Sequence, residues 1–301
     1  MAGAPSRAGP VSHGWRAWLL AARPPTLTAS LTPVLVGAGA AWEEGFRPGI
    51  LAATLVAAVL VQVGTNFAND VADYERGADA ADRLGPPRAV ALGLIAPAAM
   101  RRGALAAFAL AALIGLYLAW EGGWPVLLMG AVAVLAGIAY TGGPWPYGYR
   151  ALGDAVCFLT FGVMAVMATY YLQTGRVDAI AFLASLPVAC TVTAILAVNN
   201  LRDLDSDRRA GKVTLAVLLG DPSTRLYYVA LLLAAYALCV PLAATGGGPW
   251  ALLPWLSSPL AARLACSVLR GASGGGLNRL LVATARLHLL LGALLALGLA
   301  L

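Results

Sequence analysis

Residues 49–77 read GILAATLVAAVLVQVGTNFANDVADYERG, an apolar run that passes without a break into Asn66, Asn69, Asp70 and Asp73. The apolar part has about the 20 residues a membrane-spanning helix needs. A second stretch, AIAFLASLPVACTVTAILAVNNLRDLDSDRRAGKVTL at 179–215, repeats the plan: an apolar run, then Asn199, Asn200, Arg202, Asp203, Asp205 and Asp207. Most of the chain's 14 Asp and Glu residues fall in two segments, 70–82 and 203–221. Elsewhere the sequence is mostly hydrocarbon. Carboxylates are costly at membrane depth, so two such clusters at span ends point to chemistry at a membrane surface.

The rest of the chain fits that frame. Its 301 residues are 60% hydrophobic and 11% charged, which excludes an ordinary soluble α/β enzyme. Apolar runs at 25–42, 49–69, 103–121, 124–140, 155–173, 179–199, 226–245, 250–269 and 281–301 predict an all-α polytopic membrane protein with nine transmembrane helices. The 250–269 run is interrupted by Pro254, Ser257, Ser258 and Pro259. The runs are continuous and rich in Ala and Leu, with no period-two alternation, which disfavours a membrane barrel. Met1–Trp15 is polar and rich in Pro and Gly and reads as a disordered lead-in; 16–301 reads as one membrane domain. No cleavable signal is expected before the first span. Cys157, Cys190, Cys239 and Cys266 stand singly in apolar runs and read as small buried hydrophobes. His13 and His288 have no partner in the sequence pattern and read as incidental.

The net charge of +6 follows the membrane and does not call for nucleic acid. With a cytoplasmic N-terminus, the loops 70–102, 141–154, 200–225 and 270–280 lie inside and carry nearly all the loop arginines. Only Arg47 and Arg176 fall on the other side, as the positive-inside rule requires. This predicts a multi-pass protein of the inner (plasma) membrane with both acidic loops cytoplasmic. The two loops follow the second and sixth spans, a weak internal repeat of four-span units whose helix ends would face one another across a central cavity.

On a helix, Asn66, Asn69, Asp70 and Asp73 share one face, as do Asn199, Asp203 and Asp207. Rows of hard oxygens at that spacing suit Mg²⁺, which commonly shares its shell with substrate phosphates. Arg83, Arg88, Arg202 and Lys212 stand beside the carboxylates, where guanidinium forks and an ammonium can grip phosphate. Arg101, Arg102, Arg208 and Arg209 read as membrane anchors. Gly211-Lys212 is no Walker loop, since the upstream glycine is missing. Arg23, at the head of Arg23-Pro24-Pro25-Thr26-Leu27, reads either as an interfacial anchor or as a contact for an anionic substrate. Tyr140-Thr141-Gly142-Gly143-Pro144, with Tyr147, Tyr149 and Arg150, predicts a rigid turn after the fourth span, its tyrosines either belt residues or site residues. Asp154 opens the fifth span as a carboxylate in an apolar setting.

Together these motifs resemble the UbiA superfamily of intramembrane prenyltransferases over nearly the whole chain. Within it they are most similar to the 1,4-dihydroxy-2-naphthoate polyprenyltransferase branch, which serves menaquinone synthesis. The carrying residues are Arg23–Leu27, Asn66–Asp79, Asp82–Arg88, Tyr140–Pro144 and Asn199–Leu215. The resemblance implies nine spans around a central cavity open to lipid. It implies Mg²⁺ held by Asn66, Asp70 and Asp73 on one side and by Asp203 and Asp207 on the other, with these four aspartates catalytic. It further implies a polyprenyl diphosphate donor and an aromatic acceptor, bound through Arg23, Asn66, Arg83, Arg88, Tyr140, Asn199, Arg202 and Lys212. The superfamily's commoner pattern places an Asp where Gly77 stands here, with Asp79 two residues on; this favours the naphthoate branch over the 4-hydroxybenzoate one. Homogentisate and 4-hydroxybenzoate remain alternative acceptors, and a divalent-cation transporter is the non-enzyme alternative. The run that marks CDP-alcohol phosphotransferases is absent.

In a variant stripped of its native cysteines, single cysteines introduced at Ala80 and Ser206 are expected to react with an impermeant maleimide from the same, cytoplasmic side. Labelling from opposite sides would break both the topology and the shared cavity.

Overall fold

The computed structural model describes residues 14–77, 85 and 88–301. Met1–His13, Asp79, Asp82 and Arg83 therefore lie outside the described residues. Among the described residues ten helices of eight residues or more follow one another, with shorter ones between them: α1 (Trp15–Ala22), α2 (Thr28–Ala40), α3 (Pro48–Glu75), α4 (Pro97–Gly122), α5 (Trp124–Ala139), α6 (Gly153–Thr174), α7 (Ala179–Arg202), α8 (Asp221–Gly247), α9 (Pro249–Leu269) and α10 (Gly275–Leu299). The all-helical membrane class expected from the sequence is what folds. Seven of these helices are long and apolar enough to cross a bilayer. The other two expected spans, at 25–42 and 124–140, fold as the shorter apolar helices α2 and α5. Trp15 belongs to α1 and not to the lead-in.

Local sequence sets the helix boundaries. Pro24 and Pro25 cannot continue α1, so the chain turns at Arg23, which adopts φ 52°. The Arg23 carbonyl then accepts from the Thr26 amide and hydroxyl, both at 2.9 Å, which restarts the helix at α2. Pro48 opens α3 and Pro97 opens α4, each at a position where a missing N–H costs nothing. α3 runs 28 residues, several turns beyond its apolar core, and this extension carries Asn66 to Asp73 to the end of the bundle. α7 starts under an Asp178 cap, whose Oδ1 accepts from Ile180 N at 2.7 Å. The first half of α9 is wound as a tight 3₁₀ helix, as its paired prolines and serines anticipate. α6 carries a π-helical stretch at Phe158–Met164, where Gly162 lies directly against Ala189 of α7.

α2 sits at the centre, packed on α10, α6, α3 and α7. Small residues make that possible. A Cβ on Gly37 would fall 2.7 Å from Thr169 Cβ, and one on Gly39 would fall 2.7 Å from Ala296 Cα. Within lipid no hydrophobic force gathers helices, so such close backbone approach supplies the packing energy. α7 is the most deeply buried of the seven long spans. Cys190 and Cys239 are buried as expected, whereas Cys266 is exposed on α9. His288 is not incidental: it is fully buried and its Nδ1 meets the Thr191 hydroxyl at 2.7 Å, tying α10 to α7.

The polar connections separate into two ends. At one end residues 76–77, 88–96, 140–152 and 203–214 and the start of α10 meet. Arg76 donates to Gly143 O at 2.8 Å, Ala151 N donates to Val213 O at 2.7 Å and Arg202 reaches Asn278. At the opposite end Arg47 pairs with Glu121, and Glu44 takes Arg176 at 2.5 Å and the Tyr170 hydroxyl at 2.5 Å. The Tyr170 bond, then the Arg176 bond, holds the Glu44 carboxyl below its ordinary range.

Gly39→Val is expected to force α2 and α10 apart against the Ala296 backbone and to destabilise the protein by about 1–3 kcal/mol or more. A thermal unfolding scan in detergent reads this as a lowered Tm; an unchanged Tm would show that the α2–α10 contact yields freely.

Candidate active site

The last three turns of α3 place Asn66, Asn69, Asp70 and Asp73 on one buried face, at 4%, 8%, 1% and 2% exposure. Each is held separately. The Asn66 amide donates to Ala22 O at 2.8 Å and to the Thr26 hydroxyl at 3.2 Å, fixing it against the α1–α2 turn. Asn69 Oδ1 accepts from the Thr141 hydroxyl at 2.7 Å. Asp70 Oδ2 accepts from the Ala89 amide at 3.2 Å, while its Oδ1 is buried with no hydrogen-bond partner. Asp73 accepts from Tyr149 Oη at 2.9 Å and pairs with Arg88 at 2.5 Å. Arg88 also donates to the Asn69 carbonyl at 3.2 Å.

The second row forms where α7 ends. Arg202 forks onto Asp203 through Nε at 2.8 Å and Nη2 at 2.6 Å, and the same guanidinium reaches Asn199 at 2.9 Å and Asn278 at 3.2 Å. The short helix Leu204–Arg209 follows and stops at Gly211, whose φ of 69° is the left-handed close that glycine adopts without strain. That turn folds the chain back, so Lys212 N donates to Asp207 O at 2.9 Å and Lys212 Nζ stands 3.6 Å from Asp207 Oδ1.

Lys212 joins the two rows. Its ammonium lies 5.9 Å from the centre of the Tyr140 ring and 5.6 Å from that of Tyr149, and Tyr149 donates to Asp73 on the other row. The Tyr140–Arg150 turn supplies both rings. It closes through Gly148 N to Tyr140 O at 2.9 Å, and a Cβ on Gly148 would fall 2.6 Å from that same oxygen. Burial, then the nearby charges of Asp154 and Asp207, pushes the Tyr140 phenol well above its usual range. Burial and the Asp73 charge do the same to Tyr149, so both rings face the site as neutral phenols. Asp154 accepts from Tyr227, and its Oδ2 is buried without a hydrogen-bond partner.

Most expected site residues therefore converge. Asn66, Asp70, Asp73, Arg88, Tyr140, Asn199, Arg202, Asp203, Asp207 and Lys212 belong to one polar assembly at one end of the bundle. Arg23 sits half-buried at the head of the α1–α2 turn, beside the segment that holds Asn66. Arg202, expected on phosphate, is turned inward onto Asp203. Thr141, Tyr149, the Ala89 amide and Asn278 also belong to the site. Of these, Thr141 and Tyr149 had a signal in the sequence, lying in the Tyr140–Arg150 turn. Ala89 and Asn278 had none, because their part depends on a backbone amide and on chain packing.

The donor set fits a hard cation. Among the described residues no three His, Cys, Asp or Glu side chains converge on one point. Each row instead offers one or two carboxylates beside amide oxygens, the arrangement Mg²⁺ accepts when phosphate oxygens complete its shell. The buried, unpartnered Oδ1 of Asp70 is the clearest such position. A buried carboxylate oxygen without a donor is costly unless a cation or proton meets it.

The UbiA prenyltransferase family profile matches residues 30–290. A 1,4-dihydroxy-2-naphthoate octaprenyltransferase of Mycobacterium tuberculosis is 39% identical over 259 residues, covering 85% of this chain and 87% of its own. The enzyme of the same name from Escherichia coli is 34% identical over 292 residues, covering 94% of each. Among solved structures, a UbiA homologue from Archaeoglobus fulgidus bound to GPP and Mg²⁺ superposes with a TM-score of 0.64 at 16% identity, covering 93% of this chain and 99% of that one.

Arg88→Gln removes the ion-pair partner of the buried Asp73 and is expected to cost about 3–5 kcal/mol of stability. Tyr149→Phe removes one hydrogen bond from the same carboxylate, about 0.5–1.5 kcal/mol. Thermal unfolding of the two variants side by side checks the ranking, and equal losses would refute it.

Proposed function

The chain belongs to the UbiA prenyltransferase family, and on that premise we propose that it transfers a polyprenyl group from polyprenyl diphosphate to 1,4-dihydroxy-2-naphthoate. The allylic C–O bond breaks to release diphosphate, a C–C bond forms on the ring, and the ring carboxyl leaves as CO₂. The product is a demethylated menaquinone precursor. The observation that carries the reading is the joining of two buried acidic rows by Lys212 and Tyr149, with basic side chains interleaved. The names of the bacterial relatives supply the acceptor.

The residues divide the work. Asn66, Asp70 and Asp73 would hold one Mg²⁺ and Asp203 and Asp207 a second. When bound, the ions supply positive charge to a diphosphate leaving group. Lys212 and Arg88, already facing the carboxylates, exchange these partners for phosphate oxygens and neutralise charge as it grows there. Arg83, outside the described residues, would serve the same end. Arg202 keeps Asp203 and Asn199 oriented through its fork. Tyr140 and Tyr149 turn neutral π faces toward the region where an allylic cation forms, and cations are attracted to such faces. The apolar helices around the site exclude water, which would otherwise capture that cation, and a lateral opening to lipid leaves the long prenyl tail in the bilayer. On the acceptor side, Arg23 pairs with the naphthoate carboxylate, and Asp154 takes the proton of a ring hydroxyl as the ring carbon attacks and returns it when loss of CO₂ restores aromaticity.

Asp70→Ala and Asp203→Ala are each expected to abolish turnover in membranes supplied with 1,4-dihydroxy-2-naphthoate, polyprenyl diphosphate and Mg²⁺, with product read by mass. EDTA should have the same effect on the wild type, reversed by added Mg²⁺. Wild-type rates in either variant would refute the two-row reading, and faster turnover of homogentisate or 4-hydroxybenzoate would reassign the acceptor. Lys212→Gln should raise the donor KM or lower kcat with little change in acceptor KM. Arg23→Ala should mainly weaken the acceptor, by about 1–3 kcal/mol for one lost charge-assisted contact; unchanged kinetics would leave Arg23 an interfacial anchor.

A further inference from the structure

A cleft of about 760 Å³ opens between the end of α9 and the start of α10, with none of the acidic-row residues in its lining. Three arginines line it: Arg263 and Arg270 from α9 and Arg279 from α10. Arg263 and Arg270 are seven residues apart, two helical turns, so they share a face of α9 with Arg263 about 10 Å deeper along the axis. Gly271 (φ 83°) and Gly274 (φ 49°) reverse the chain between the two helices and bring Arg279 to the same cleft. The Ser267 and Ser273 hydroxyls complete the polar lining.

No carboxylate lines this cleft. Elsewhere, Arg47, Arg88, Arg101, Arg176, Arg202 and Arg225 each meet an Asp or Glu. Arg263, Arg270 and Arg279 have no hydrogen bond or ion pair to the described residues. Three like charges round one cavity repel one another, and the repulsion grows at a membrane edge where water is partly excluded. An anion relieves it. Depth decides which anion: Arg263 lies inside a spanning helix, below the level of the loops, Cys266 lines the cleft beside it, and Leu269 is exposed outside the cleft lining. A ligand there has its charge at the headgroup level and its apolar part along the helix.

We propose that this cleft binds the phosphate headgroup of an anionic phospholipid, gripped by Arg263, Arg270 and Arg279, with an acyl chain lying along the outer face of α9. Basic pockets between spanning helices suit such headgroups, and guanidinium forks match phosphate oxygens. The proposal does not depend on the reaction the protein catalyses.

The test uses the purified full chain in nanodiscs of phosphatidylcholine alone or of phosphatidylcholine with phosphatidylglycerol. Phosphatidylglycerol is expected to raise the Tm, and native mass spectrometry should count retained phosphatidylglycerol on the wild type. The combined R263Q/R270Q/R279Q variant should lose at least tenfold in retention and most of the Tm increment, while matching wild type in phosphatidylcholine alone. A variant lowering the charge equally at another place, R101Q/R102Q/R208Q, should keep both. Loss in both triple variants would show diffuse attraction to the surface and overturn the site. Inorganic phosphate producing the wild-type shift by itself would overturn the lipid assignment. If the cleft variant does not fold, R270Q and R279Q singly supply the retention measurement, and wild-type retention in both would refute the proposal.

Discussion

Charge that is buried must be answered by charge, and that constraint organises this protein. Asp73 is 2% exposed at the end of a long apolar helix, a place no isolated carboxylate can occupy cheaply. Arg88 and Tyr149 answer it, one from the loop after α3 and one from the turn after α5. Those two contacts tie separate segments of chain to one carboxylate. The same logic governs Asp203, which Arg202 covers with both arms of its fork, and Asp207, which Lys212 approaches once the chain has reversed at Gly211.

Such a network does two things at once. It sets a basic group against each buried acidic one. Under the function proposed, the same arginine and lysine would take phosphate oxygens as second partners and leave the carboxylates to cations. Asp70 differs: one oxygen rests on the Ala89 amide and the other has no hydrogen-bond partner among the described residues. A buried carboxylate oxygen of that kind is a position a cation can take at low cost.

The packing around the network is as economical. Gly37 and Gly39 let α2 lie against α6 and α10 so closely that a single added carbon would overlap them. Gly148 plays the same part in the tyrosine turn, where a Cβ would strike the Tyr140 carbonyl. Rigid elements thus deliver side chains whose own rotamers are locked by hydrogen bonds, the condition for holding reacting groups in place. The opposite end of the bundle shows the contrast: Glu44, Arg176 and Tyr170 satisfy one another completely and clasp helices together.

By itself the sequence determined the class of the protein, the places of the spans and the identity of both acidic rows. Those properties are local: a 20-residue apolar run and a three-to-four spacing of oxygens are physical statements about one helix. It also determined that Lys212 and Arg88 stand beside carboxylates. Only the tertiary structure decided which partner each would take. Arg202, expected beside phosphate, forks onto Asp203 and also reaches Asn199 and Asn278. Tyr149 read as either a belt or a site residue and His288 as incidental; one bonds Asp73 and the other bonds Thr191, residues 76 and 97 positions away in the chain. The short α2 and α5 were expected as full spans, since hydropathy measures apolar content and not where a helix is capped by its neighbours. Partners that far apart in sequence leave no trace in local pattern; they exist only once packing has brought the helix ends together.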